Sequence, residues 1–338
     1  MANIKDIARL SGVAPTTVSA VLNGRKHLVA EATRERILKV MQELRYVPGP
    51  LFYGDRYNDN MSTTLAVLYM FEEGEPDPYY LTLLAGMIEQ CASDFINLLS
   101  IRVHNWTNAF AEVRKHIDGR CDGIITIISD YPEDLLQALT ARRIPIATVN
   151  MEREMPDLNS ISSDIYAGAT MALQHLYDLG HRRIAALTAE VHPDLRGNAY
   201  TDFAKSHEMP YCEKNVLRTE WNRASGYECA KKILQRTSNR PTALFCYNDQ
   251  IAMGALSACR DLGLDVPGDI SITGFDDLPE ASVSQPALTT VSRSLKRVGM
   301  EAVTLLKRHL NDPSIPSGEH IQLPIKLIVR ESTGIAPD

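Results

Sequence analysis

The chain has 338 residues, 44% of them apolar and 23% charged, with a formal net charge of −7. That length predicts two or three folded units, and no apolar run approaches the roughly 18–20 residues that cross a bilayer. The acid at Asp6 and the missing apolar stretch of a leader exclude a secretory signal at the N-terminus, so the chain is expected in the cytoplasm, without a membrane partner.

The charge is unevenly placed. Residues 1–50 hold eight Lys or Arg against four acids, a local charge of 8 − 4 or +4, which leaves −11 for the remainder. A small basic head on an acidic body suits a protein that presents its head to nucleic acid. The six cysteines (91, 121, 212, 229, 246 and 259) show no C-x-x-C spacing and several sit in apolar surroundings, which reads as buried free thiols.

In chain order, Ile4, Ile7 and Ala8 follow helical spacing, with Asn3 and Asp6 available as caps. Ser11-Gly12-Val13 supplies a tight turn, and Pro15 suits the first turn of a second helix running through Val18, Val21 and Leu22. A third helix has Ile37, Val40, Met41 and Leu44 on one face. Two short helices joined by such a turn are a helix-turn-helix, whose second helix enters the major groove. Thr16, Thr17 and Ser19 provide hydroxyls on that helix, and Asn23, Arg25 and Lys26 follow it within reach of phosphates. A plain three-helix bundle with solvated charges has the same spacing.

Tyr46-Val47-Pro48 opens a linker rich in Gly, Asp and Asn, which oppose a helix. From Thr64 onward, short apolar strands alternate with amphipathic helices: 65–68, 96–101, 123–128, 144–149, 183–187, 243–246 and 270–273. This predicts two parallel α/β sheets with a cleft between them. Ligands of such sheets bind beyond the carboxyl ends of strands, where Asn150, Arg196, Asn248 and Asp276 fall. Trp221, Tyr79 and Tyr80 offer ring faces for stacking. Asp249 reads as a cap of the helix it starts. Segments 80–88 and 253–262 are candidate interface helices.

Ile4-Lys5-Asp6-Ile7-Ala8, Ser11-Gly12-Val13, Thr17-Val18-Ser19, Val21-Leu22-Asn23-Gly24 and Thr33-Arg34-Glu35-Arg36 together resemble the headpiece of the lactose/galactose repressor (LacI/GalR) family. The resemblance continues through Gly180-His181-Arg182-Arg183-Ile184, Asn248-Asp249, Ile272 to Asp277, Leu288 to Val291 and Arg330-Glu331-Ser332-Thr333. It implies a small all-α headpiece followed by a type I periplasmic-binding-protein-like body of two doubly wound parallel-sheet subdomains. It also implies a homodimer on a pseudo-palindromic operator, with a sugar or related metabolite as effector and no cofactor. By the same resemblance, Thr16, Thr17, Ser19 and Asn23 contact DNA, and Tyr79, Tyr80, Arg196, Trp221, Asn248 and Asp276 line the pocket. Asn150 stands where sugar-responsive members often carry Asp.

The implied boundaries are 1–47 for the headpiece, 48–62 for the linker and 63–338 for the body. Within the body, the N-subdomain spans about 63–162 and 294–322, and the C-subdomain about 163–293 and 323–338. Ala14, Ala20 and Ala30 depart from the headpiece pattern, and the linker departs most, with Leu51 or Phe52 left as a substitute minor-groove wedge. The residues after Gly334 do not read as the heptad segment that makes tetramers in this family, so a dimer is expected. A solute-binding receptor and an enzyme, with Asp276-Asp277 or Cys91 at its centre, are the competing readings. No phosphate-loop, dinucleotide or His-Glu metal spacing supports the second.

Overall fold

The computed structural model describes residues 4–22, 29–44, 63–69, 77–103, 113, 120–127, 144–150, 155–189, 194–209, 215–236 and 238–337. The chain divides into two compact units, Met1–Ser62 and Thr63–Asp338.

The first unit has three helices: α1 (Ile4–Ser11), α2 (Pro15–Leu22) and α3 (Glu31–Glu43). At the end of α1 the Ser11 hydroxyl donates back to the Ile7 carbonyl, and Gly12 takes a φ of 66° that a side chain would resist. Pro15 opens α2, where its missing N–H is no loss. Ile7, Ala8, Val18, Ile37 and Val40 are buried together, which closes a small core from the faces the periodicity predicts. Ala14 gives α2 only its carbonyl, accepting from the Thr17 and Val18 N–H groups. Asn3, Asn23, Arg25, Lys26, Leu51 and the whole linker lie outside the described residues.

The second unit contains two six-stranded sheets. The first joins β1 (Thr64–Tyr69), β2 (Asn97–Arg102), β3 (Gly123–Ile127), β4 (Ile146–Val149), β5 (Asn159–Ser163) and β11 (His320–Leu323) in the order β2-β1-β3-β4-β5-β11, all parallel. The second joins β6 (Ile184–Ala189), β7 (Val216–Thr219), β8 (Ala243–Cys246), β9 (Ser271–Asp276), β10 (Thr289–Ser292) and β12 (Lys326–Ile328) in the order β7-β6-β8-β9-β10-β12. Only β12 pairs antiparallel. Each sheet thus repeats the doubly wound strand order 2-1-3-4-5 before its extra edge strand. Central strands are buried on both faces, which is why they read as continuous apolar runs.

The covering helices described are α4 (Pro78–Ser93), α5 (Ile165–Asp178), α6 (Leu195–Ser206), α7 (Arg223–Leu234), α8 (Asp249–Asp261) and α9 (Leu295–Asn311). Two helix pairs cross at glycine. A Cβ on Gly86 of α4 would overlap the Lys296 carbonyl of α9, and one on Gly299 of α9 would overlap the Leu83 carbonyl. On the second sheet, Gly226 of α7 and Gly254 of α8 play the same part, against the Ile251 and Arg223 carbonyls. Helix α8 is buried from Asp249 to Leu256 and again at Ala258 and Cys259, while Arg260 and Asp261 at its end are exposed. Helix α4, by contrast, leaves Leu81 and Ile88 exposed.

The Gly180-His181 motif is structural. Gly180 turns the chain at φ 93°, and the buried His181 ring bonds Thr242 Oγ1 (3.0 Å), Ser271 Oγ (2.9 Å) and the Gly334 carbonyl (3.1 Å). Burial lowers the His181 pKa below the usual 6.5, so the folded state keeps the ring neutral. Between that lowered value and about 6.5 the unfolded chain binds more protons, and stability falls as pH drops through this window. The stabilisation lost on His181→Gln is therefore expected to be larger at pH 8 than at pH 5.5, measured as urea midpoints. An equal loss at both rules the buried ring out as an acid-sensitive site.

Candidate functional site

A continuous chain of contacts runs across the body at the carboxyl ends of its strands. Asp77 caps α4 by accepting the Tyr79 N–H (2.9 Å), which fixes the first turn and the tyrosine it carries. Asn150, just past β4, donates Nδ2–H to the Tyr79 hydroxyl (2.8 Å). The Arg293 guanidinium, past β10, lies 5.8 Å from the centre of the same ring. Arg293 Nη1 donates to Asp276 Oδ1 (3.1 Å) at the end of β9, and Arg196 Nη2 stands 3.8 Å from that oxygen. The Arg196 guanidinium lies over the Tyr247 (4.0 Å) and Phe275 (4.3 Å) rings, and Tyr247 meets Trp221 edge-on at 5.1 Å.

Residues from both sheets, through Asn150 and Asp276, are therefore brought to one place, together with Tyr79, Arg196 and Trp221. Arg196, Arg293 and Asp276 are buried, whereas Trp221 is 42% exposed and forms an open edge. Burial pushes the Asp276 carboxyl above its usual range, and the two arginines pull it back. Asn150, Asp276 and Asp277 all adopt positive φ (55°, 106° and 58°). Held strain of this kind concentrates at functional sites, and Asn and Asp tolerate the conformation best.

Two predicted residues sit differently. Tyr80 meets Tyr79 and Tyr69 (5.4 and 6.2 Å) and packs against the core of the first sheet. Asn248 is the cap of α8, accepting the Ile251 N–H (2.8 Å), while its Nδ2 donates to the Trp221 carbonyl (3.2 Å); it holds the Trp221 loop in place. The capping role expected of Asp249 thus belongs to its neighbour. Asp249 instead accepts the Leu278 N–H (2.7 Å) and the Thr290 hydroxyl (2.6 Å). Leu278 in turn is buried in the core of the first sheet, so this carboxylate ties a strand end of one sheet to the interior of the other.

Asp277 points away from Asp276, to Arg330 (2.7 Å), and the pair is no acid–base couple. Burial pushes the Cys91 thiol up to about 11, so it is no ready nucleophile. Arg293, Tyr247 and Phe275 are the site residues the sequence reading missed. The signal for Arg293 was its place after an apolar-hydroxyl segment, Thr289 to Ser292, that is itself a strand.

In the first unit, Thr16 is exposed on α2 and Thr17 and Ser19 are half-buried. Among the described residues no helix is long and apolar enough to cross a membrane.

A hydroxyl-bearing helix-turn-helix joined to a two-sheet body with a charged cleft defines a DNA-binding transcription regulator with a ligand-sensing domain. Residues 3–49 match the model of bacterial regulatory proteins of the lacI family, and residues 173–333 match that of the periplasmic binding protein-like domain. The chain is 31% identical over 344 residues to the HTH-type transcriptional repressor PurR of Haemophilus influenzae strain PittEE, covering 98% of each. It is 30% identical over 340 residues to PurR of Actinobacillus pleuropneumoniae serotype 3 strain JL03, again 98% of each. Among solved structures, the lac repressor dimer bound to operator and the anti-inducer ONPF is 25% identical with a TM-score of 0.77, over 98% of this chain and 99% of that one. The fold also matches the transcriptional regulator CelR–cellobiose complex, 24% identical with a TM-score of 0.71, over 98% and 100%. The chain belongs to the LacI family.

Proposed function

We propose that this protein represses transcription from the cytoplasm as a homodimer on a pseudo-palindromic operator, and that a small molecule held in the cleft sets its operator affinity. The observation that carries the effector half is the buried Arg196–Asp276–Arg293 cluster, flanked by Tyr79, Asn150 and Trp221, at the strand ends of both sheets. Such a place is where open parallel sheets bind ligands. The proposed pocket residues are Tyr79, Asn150, Arg196, Trp221, Asp276 and Arg293, with Asn248 and Tyr80 positioning them. The proposed partition is a headpiece of 1–47, a linker of 48–62 and a body of 63–338.

On the DNA side, Thr16, Thr17 and Ser19 face the major groove, and Asn23, Arg25, Lys26 and Leu51 complete the contact set. The cleft binds without catalysis: the paired acids diverge and the Cys91 thiol is protonated. Effector-induced movement of one subdomain against the other changes the spacing of the two headpieces, and DNA and effector then alter each other's affinity by the same factor.

Selection of bound sequences from a random DNA library with the purified chain tests this reading. The expected result is a palindrome whose affinity falls linearly with salt on a log–log scale, by about 0.9 per phosphate contact. Thr17→Ala is expected to weaken that operator roughly fivefold, the loss of one hydrogen bond, and to leave ligand affinity off DNA unchanged. Sequence-independent retention alone argues against an operator-binding protein.

A further inference from the structure

Arg196 and Arg293 are each 3% exposed and share the single carboxylate of Asp276, at 3.8 and 3.1 Å. Of the nearby acids, Asp77 accepts the Tyr79 N–H, Asp249 accepts the Leu278 N–H and the Thr290 hydroxyl, and Glu280, which neighbours Asp77, keeps a buried Oε2 without a hydrogen-bond partner among the described residues. Asp276 meets only Nη1 of Arg293. Nε and Nη2 are buried and, among the described residues, have no hydrogen-bond partner. These two nitrogens form one edge of the guanidinium, with parallel N–H groups spaced to grip two oxygens of a single anionic group. Leaving charged donors buried and unpaired is costly, and such groups in a cleft mark a place for a ligand atom. Beside them, Asn150 Oδ1 is a second buried atom without a partner, while its Nδ2 is engaged by Tyr79.

Resting on the reading of this cleft as the effector site, we propose that the effector is an anionic hydroxylated metabolite. Two oxygens of its carboxylate or phosphate sit on the Nε–Nη2 edge of Arg293, and one of its hydroxyls donates to Asn150 Oδ1. The ring, where it has one, lies against Tyr79 or the open edge formed by Trp221. Neutral sugars and nucleobases leave the Arg293 edge unmatched and bind poorly.

The test uses the full chain and a bacterial metabolite extract split on anion-exchange resin into flow-through and retained fractions, read by the shift in melting temperature. The retained fraction is expected to raise the melting temperature, and the flow-through is not. Phosphatase treatment that abolishes the shift assigns a phosphate; a shift that survives it assigns a carboxylate. With the purified ligand, Arg293→Gln is expected to weaken binding on the order of tenfold to a hundredfold. Arg293→Lys, which keeps the charge without the two-pronged edge, is expected to recover only part of it. A shift from the flow-through alone that disappears in Trp221→Ala overturns the anionic ligand and leaves the effector cleft standing. No shift from either fraction overturns both. The wild-type fractions decide the question even where a variant folds poorly.

Discussion

Asp276→Ala is expected to lower the stability of the body by about 3–5 kcal/mol, among the largest effects of any single side-chain removal in this protein. The carboxylate is the shared partner of two guanidiniums with 3% side-chain exposure, and its removal leaves both positive charges buried and facing one another. Alanine also tolerates the φ of 106° at this position poorly, which adds to the loss. Asp276→Asn keeps the shape and the backbone preference and is expected to lose less. The measurement is the urea midpoint of the two variants against the parent chain. A loss below about 1 kcal/mol in Asp276→Ala would show that the arginines find other partners, and the charge argument for the cleft would weaken with it.

Gly254→Val is expected to destabilise by about 3 kcal/mol or more, because the added atoms meet backbone that has no room to move. A Cβ alone at this position overlaps the Arg223 carbonyl and comes within 2.6 Å of the Tyr227 nitrogen. Helix α7 must slide on α8, and the buried faces of both helices lose their fit. Gly263→Ala is the contrast: nothing lies within 4 Å of its Cβ, and only the φ of 69° opposes it, at about 1 kcal/mol. Similar midpoints for the two variants would mean that the α7–α8 crossing is softer than its geometry implies.

Much of this architecture is legible in the residues alone. The headpiece helices are marked by 3.6-residue spacing, by Gly12 and by Pro15, and the central strands by uninterrupted apolar runs. The strands that escape notice are polar or short. β5 reads NSISS and β12 only KLI, and both lie at or near a sheet edge, where one face needs little apolar surface. β10, TTVS, is fully buried yet carries hydroxyls, two of which bond Asp249 and Thr333. Missing that strand hid its end, and Arg293 with it. The strand-end rule otherwise found Asn150 and Asp276, but could not distinguish which of Asn248 and Asp249 caps α8. That depends on backbone direction at the helix start, with Asn248 extended at φ −147°, ψ 175°.

The return of the chain from the second sheet to the first has a consequence for synthesis. Lys307 of α9 pairs with Asp94 at 2.6 Å across 213 positions of sequence, beside the glycine crossing of α4 and α9. At roughly 5–20 residues per second, the face of α4 that carries Leu83 and Met87 waits on the order of 10–40 s on the nascent chain before α9 exists to cover it. The first sheet begins to form early, yet this face of it stays open until five of the six strands of the second sheet have been made.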